Sequence, residues 1–141
     1  MRTRVSYVSF LFLVFFTASV FAAPQVHKVV IQVSTGDAKV QGMALNNAVN
    51  LQKHYGVDNI KIEIVAYGPG LSLLTKASKM KVRVESLAVQ DIHFNACGNT
   101  IKKITKKKGK KPVLSKGVTV TPSGVARIIE LQEQGYKYVR P

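Results

Sequence analysis

A second cysteine is missing from this chain. Cys97 stands alone among 141 residues, so an internal disulfide is excluded and the thiol must be buried, paired with another molecule, or reactive. A metal-ligand cluster is missing too. One cysteine and three histidines, His27, His54 and His93, are scattered along the sequence and do not make a zinc site. His93 and Cys97 fall on one side of the same predicted strand, four extended residues and roughly 13 Å apart, which argues against a protease-like Cys–His pair. No carboxylate pair and no phosphate-loop consensus occurs; Gly68-Pro69-Gly70 lacks the rest of any nucleotide fingerprint. The expectation is therefore no cofactor and no metal. Internal repeats and a domain linker are absent as well, so the chain reads as one domain.

Acidic residues are scarce: 7 Asp and Glu face 21 Lys and Arg, for a net charge of +14. Two of the positive charges, Arg2 and Arg4, open an N-terminus whose next stretch, Val5 to Phe21, is uncharged and dominated by Val, Phe, Leu and Ala. Ala22, Ala23 and Pro24 follow. A charged start, an apolar middle and small residues at the end describe a secretory signal peptide over residues 1–22, cleaved after Ala22 with Val20 three residues before the cut. The rival reading is a retained anchor, for which a run of about 17 residues is short against the roughly 20 that span a bilayer. Cleavage leaves 119 of the 141 residues, with 19 basic against 7 acidic side chains, or +12. That length supports a single hydrophobic core, expected over residues 26–141. The expected location is outside the cytoplasm, in a bacterial periplasm. There an exposed thiol is a liability unless it has a use.

The mature segment alternates strand and helix signals. Val29 to Val33 is a β-branched run of the kind buried on both faces of a parallel sheet. Ser34-Thr35-Gly36-Asp37 offers caps for a helix over Ala38 to Tyr55, with Val40, Met43, Ala44, Ala48 and Leu51 near helical spacing and Gly56 as its stop. Ile60 to Ala66 is a second strand. Its alternation of Lys61 and Glu63 with isoleucines predicts a place at or near a sheet edge. Tyr67-Gly68-Pro69-Gly70 is a sharp turn that opens into a helix start at Leu71. Lys76 to Val89 carries both strand-like and helix-like spacing and is read as helix. Asp91 to Ala96 is a third strand with Cys97 at its C-terminal end. Thr100 to about Lys108 is a helix, Lys106 to Ser115 a Lys/Gly/Pro loop, and Val118 to Val120 a fourth strand. Val125 to Gln134 is a helix stopped by Gly135, and Tyr136 to Val139 is a last strand. This order predicts an α/β three-layer sandwich on a mainly parallel sheet of about five strands, joined by right-handed crossovers.

Chemistry in such sheets gathers beyond the C-terminal ends of the strands. Tyr67-Gly68-Pro69-Gly70, Cys97-Gly98-Asn99-Thr100 and Pro122-Ser123-Gly124 all fall on that edge. A cysteine placed just before a helix faces the positive end of its dipole, which favours thiolate. A lone cysteine can equally be a small apolar residue closing the sheet. Both readings stand on position alone. Asn99, Gly68, Gly70, Ser123 and Gly124 are the candidate pocket residues around Cys97.

The runs Asn46-Asn47-Ala48-Val49-Asn50, Val65-Ala66-Tyr67-Gly68-Pro69-Gly70, Ala96-Cys97-Gly98-Asn99-Thr100, Val120-Thr121-Pro122-Ser123-Gly124-Val125 and Gly135-Tyr136-Lys137-Tyr138-Val139-Arg140-Pro141 resemble, in combination and order, the DsrE/DsrF-like family. The resemblance covers nearly the whole mature chain and implies a compact α/β sandwich assembled as homo-trimers or hexamers. Relatives of this kind relay sulfur as a cysteine persulfide between partner proteins, and Cys97 matches the cysteine-bearing loop. By that resemblance Cys97 is the expected nucleophile or persulfide carrier, with a sulfur donor or acceptor protein as partner.

One feature departs from the family's usual, less basic connection. Eight lysines, from Lys102 to Lys116, fall within fifteen residues. No arginine or aromatic is interleaved, so base reading and stacking are unsupported and no nucleic acid is expected as partner. The bland reading is a solvated loop. The sharper one is contact with a polyanion or an anionic surface through Lys106, Lys107, Lys108, Lys110 and Lys111, by summed charge. The sequence thus leaves two alternatives to sulfur handling: a ligand-binding or structural oligomer in which Cys97 only packs, and an envelope polyanion binder.

Overall fold

The computed structural model describes residues 26–141, and the signal-peptide expectation for residues 1–22 lies outside the described residues. Five strands, β1 (His27–Val33), β2 (Ile60–Ala66), β3 (Ile92–Cys97), β4 (Val118–Thr121) and β5 (Lys137–Val139), form one sheet in the order β4-β3-β2-β1-β5. Every neighbouring pair is parallel. Four helices intervene: α1 (Ala38–Tyr55), α2 (Lys81–Val89), α3 (Gly98–Lys108) and α4 (Gly124–Glu133).

The strand order dictates the layers. The steps from β1 to β4 all run one way across the sheet, so connections of one hand place α1, α2 and α3 on one face. There Ala44, Leu45 and Ala48 of α1, Val84 and Leu87 of α2 and Ile101 of α3 pack with Val29, Ile31, Ile62, Ile64, Ile92 and Phe94 of the strands. Full burial of such a side chain contributes about 1.5–3 kcal/mol. The last connection runs back from β4 to β5, and α4 therefore lies on the opposite face. Its Ile128 and Leu131 cover Val30 and Val65, flanked by Tyr67 and Tyr136.

Local signals explain most element ends. The Asp37 carboxylate caps α1 by accepting from the Lys39 N–H at 2.7 Å. The buried face of α1 is turned from the expected one: Leu45 is core while Met43 is 48% exposed, and the amides of Gln41 and Gln52 are buried with it. Those amides are satisfied, Gln41 donating to the Thr35 carbonyl and the Ser72 hydroxyl and Gln52 to the Gln90 carbonyl. Gly68–Leu74 winds as a 3₁₀ helix rather than opening an α-helix. Lys106, Lys107 and Lys108, where the expected helix and loop overlap, form the last turn of α3, where cations meet the negative end of the helix dipole; the loop begins at Gly109.

The edge position expected for β2 is corrected. β2 is the middle strand. Its Lys61/Glu63 alternation arises because α4 alone covers that face and supplies a partner. Glu63 is 4% exposed and accepts from Arg127 of α4, Nε at 2.7 Å and Nη2 at 2.9 Å. The Asn95 amide of β3 also donates to Glu63, and the Thr119 hydroxyl of β4 donates to Asn95.

Candidate functional site

The connection after β3 leaves toward the face of α1–α3, and the connection after β4 leaves toward α4. Adjacent strands whose connections diverge leave a crevice between their C-terminal ends, the place where open α/β sheets bind ligands. Cys97, the last residue of β3, pairs in register with Thr121, the last residue of β4. The only cysteine therefore sits in that crevice, where it is 5% exposed.

Two helix N-termini converge on its sulfur. Burial opposes ionisation, but the polar surroundings supplied by the Thr100 hydroxyl and the backbone of Gly124, Thr100 and Asn99 favour the charged sulfur and hold the thiol below its ordinary value of 9.0. The Thr100 oxygen accepts from the Gly68 N–H at 2.9 Å, which leaves its own proton for the sulfur. The turn after β2 thus orients the group that acts on Cys97. Among the described residues no histidine shares the crevice: His93 points out, exposed, from the same strand. The arrangement favours ionisation of this sulfur relative to a free thiol, through fixed dipoles and not through an adjacent base.

The five candidate pocket residues have different parts. Gly124 is needed for close approach: a Cβ there would lie 3.2 Å from the Cβ atoms of both Cys97 and Tyr67. Gly68 contributes its N–H to Thr100. Asn99 is exposed, and its backbone N–H also meets the Pro122 carbonyl at 3.1 Å, tying the two connections together. Ser123 is the N-cap of α4, its hydroxyl accepting from the Ala126 N–H. Gly70 is buried against the end of β1, where a side chain would overlap the Val33 carbonyl; it packs the turn and does not face the crevice. Sequence reasoning missed Thr100 and Tyr67 as site residues. Both stand inside the motifs that drew notice, but their roles depend on contacts with Gly68 and Gly124, which lie far along the chain.

Two hollows flank the crevice. One, of about 1070 Å³, runs along the α1–α3 face from Gly68, Pro69 and Thr100 to Lys107, Lys108, Lys110 and Lys111; Lys106 does not line it. The other, of about 790 Å³, lies on the α4 face over the Glu63–Arg127 pair. Glu63 holds the Arg127 guanidinium further above its usual range by hydrogen bonding, with burial opposing and the charges of Glu63 and Glu130 assisting. Among the described residues no group of three or more His, Cys, Asp or Glu is placed to hold a metal, and no helix is long and apolar enough to cross a membrane.

The model of the DsrE/DsrF-like family matches residues 27–141. Among solved structures, a protein of unknown function from Methanobacterium thermoautotrophicum, MTH1491, is similar at 31% identity and a TM-score of 0.73, over 82% of this chain and 99% of that one. The ychN protein from E. coli shares the fold at 13% identity and a TM-score of 0.59, over 83% of this chain and 99% of that one. No curated protein matches the chain.

Proposed function

The chain belongs to the DsrE/DsrF-like family, and from that premise we propose that it handles sulfur as a persulfide on Cys97. The observation that supports this reading is the place of the one thiol, at the crevice between β3 and β4, where it is the N-cap of α3 and abuts Gly124 at the start of α4. The thiolate of Cys97 attacks the outer sulfur of a donor persulfide, R–S–SH. A new S–S bond forms at Cys97 as the donor S–S bond breaks. The donor leaves as the thiolate R–S⁻, and Cys97 carries –S–SH. The same polar surroundings that favour the thiolate favour the anionic persulfide. An acceptor thiolate then removes the outer sulfur by the reverse exchange.

The proposed partners are a donor or acceptor protein and further copies of this chain, in a trimer or hexamer. The proposed location is the periplasm, supported by the leader pattern of residues 1–22. Treatment with a small-molecule persulfide donor, followed by intact-mass measurement, tests the sulfur chemistry. The wild type should gain the mass of one sulfur atom and Cys97→Ser should gain none. Failure of folded wild type to take up sulfur or to react with an alkylating probe would sink the proposal.

The 5% exposure of Cys97 favours a second reading, an oligomeric binding protein in which the cysteine only packs. On that reading alkylation occurs only after unfolding and Cys97→Ala leaves assembly and ligand binding intact.

A further inference from the structure

The groove on the α1–α3 face is built from two segments far apart in sequence. Five lysines between residues 103 and 111 line one wall, and Lys76 and Lys79 line the other. No Asp, Glu or Arg lines it. Among the described residues none of these lysines is within ion-pair distance of a carboxylate; both ion pairs there belong to Arg127. The walls are clipped together by backbone. Thr75 and Leu114 form an antiparallel bridge, the Lys76 N–H donates to the Val113 carbonyl and the Ser115 N–H to the Leu74 carbonyl, both at 2.9 Å. Like charges are thus held together with no acidic side chain among them, an arrangement that opposes folding and calls for an anionic partner. Between the lysines the lining is mostly apolar, with Met80, Ile104, Pro112 and Val113 beside the smaller polar side chains of Ser72, Thr75 and Ser78.

We infer that this groove docks an acidic polypeptide segment of a partner protein, one that carries apolar side chains among its carboxylates. The chemistry of the walls selects that occupant. Lysine is a flexible point charge, without the planar fork with which arginine fixes a single phosphate or carboxylate. Neither neighbouring helix N-terminus is free to cradle a phosphate: α1 is capped by the Asp37 carboxylate and the start of α3 is directed at Cys97 and Pro122. Ammonium groups spread along a groove instead suit several carboxylates spread along a chain. An apolar floor between charged walls suits an extended segment that buries some side chains and pairs others. A flat bilayer surface would meet the rim lysines and leave that floor empty. The inference rests on none of the sulfur chemistry of Cys97, and its test reads binding alone.

The helix α3 supplies its own control. Lys103 and Lys107 line the groove, whereas Lys102 and Lys106 are exposed on the same helix outside it. The probe is a fluorescein-labelled peptide of glutamates interspersed with leucines, followed by fluorescence polarisation at low ionic strength. Lys103→Glu with Lys107→Glu should weaken binding by about tenfold or more, and Lys102→Glu with Lys106→Glu by much less. A peptide of equal charge with serines for leucines should bind more weakly. Raising salt toward 1 M, where the Debye length falls to about 3 Å, should weaken the charge-dependent part. Equal losses in the two double variants would overturn the inference in favour of diffuse charge. Equal binding of the serine peptide would overturn the chosen occupant. So would phosphatidylglycerol vesicles that bind through Lys103 and Lys107 and are not displaced by the leucine peptide.

Discussion

Replacing Arg127 with methionine would strip a buried carboxylate of its bidentate partner. Glu63 has a side chain 5% exposed, against 29% for Arg127. The two ends of the pair are therefore unequal. Removing arginine leaves Glu63 under α4 with the Asn95 amide as its remaining side-chain donor, and breaking a buried pair this way costs about 3–5 kcal/mol. Water can enter from the partly open arginine side, so the low end, about 3 kcal/mol, is expected for Arg127→Met. Glu63→Gln keeps an oxygen for Asn95 and leaves a guanidinium that can turn to water, for about 1 kcal/mol. In the double variant no charge is stranded, and its loss should stay near that of Glu63→Gln, giving a coupling of about 3 kcal/mol. Urea denaturation measures this. With a slope of about 1–3 kcal/mol/M, Arg127→Met should lower the midpoint by roughly 1–3 M. A loss for Arg127→Met no larger than for Glu63→Gln, or a double variant as unstable as Arg127→Met, would refute the view of Glu63 as a buried charge held by α4.

Further outcomes concern the crevice. Thr100→Val removes the hydroxyl that Gly68 orients; alkylation of Cys97 near neutral pH should slow and its pH profile should move upward, with Thr100→Ser restoring both. Because the folded thiol titrates below its ordinary value of 9.0, the unfolded state binds more protons between the two values. Stability relative to Cys97→Ser should therefore rise with pH across that window, level off above 9.0, and be lost as pH falls through the folded value; denaturation midpoints that stay parallel across the window would contradict this. Gly124→Ala places a methyl group against Cys97 and Tyr67 and should lower stability by about 1–3 kcal/mol in thermal melts. Ser123→Ala should cost about 0.5–2 kcal/mol through the lost cap of α4 and leave the rate of Cys97 alkylation unchanged, since its hydroxyl serves the helix.

Much of the fold was legible because its causes are local. The β-branched run of β1 and the capped, Gly-stopped period of α1 carry their own signals, and α1 spans the expected Ala38–Tyr55. Errors came where a distant partner changed the meaning of a pattern. Glu63 in an alternating strand reads as half-solvated until Arg127, 64 residues away, closes over it. The lysines of α3 and of the loop after it read as one basic stretch, and only the fold adds Lys76 and Lys79 to the same groove.

By itself the sequence determined an α/β chain with a lone thiol at a strand end, because hydrophobic period, caps and turn residues act over a few positions. The tertiary structure alone decided that β3 and β4 part at Cys97, that Gly68 turns Thr100 toward the sulfur, and that two basic segments become one groove. Those properties depend on strand order and on hydrogen bonds between residues tens of positions apart, and no local preference of the chain encodes them.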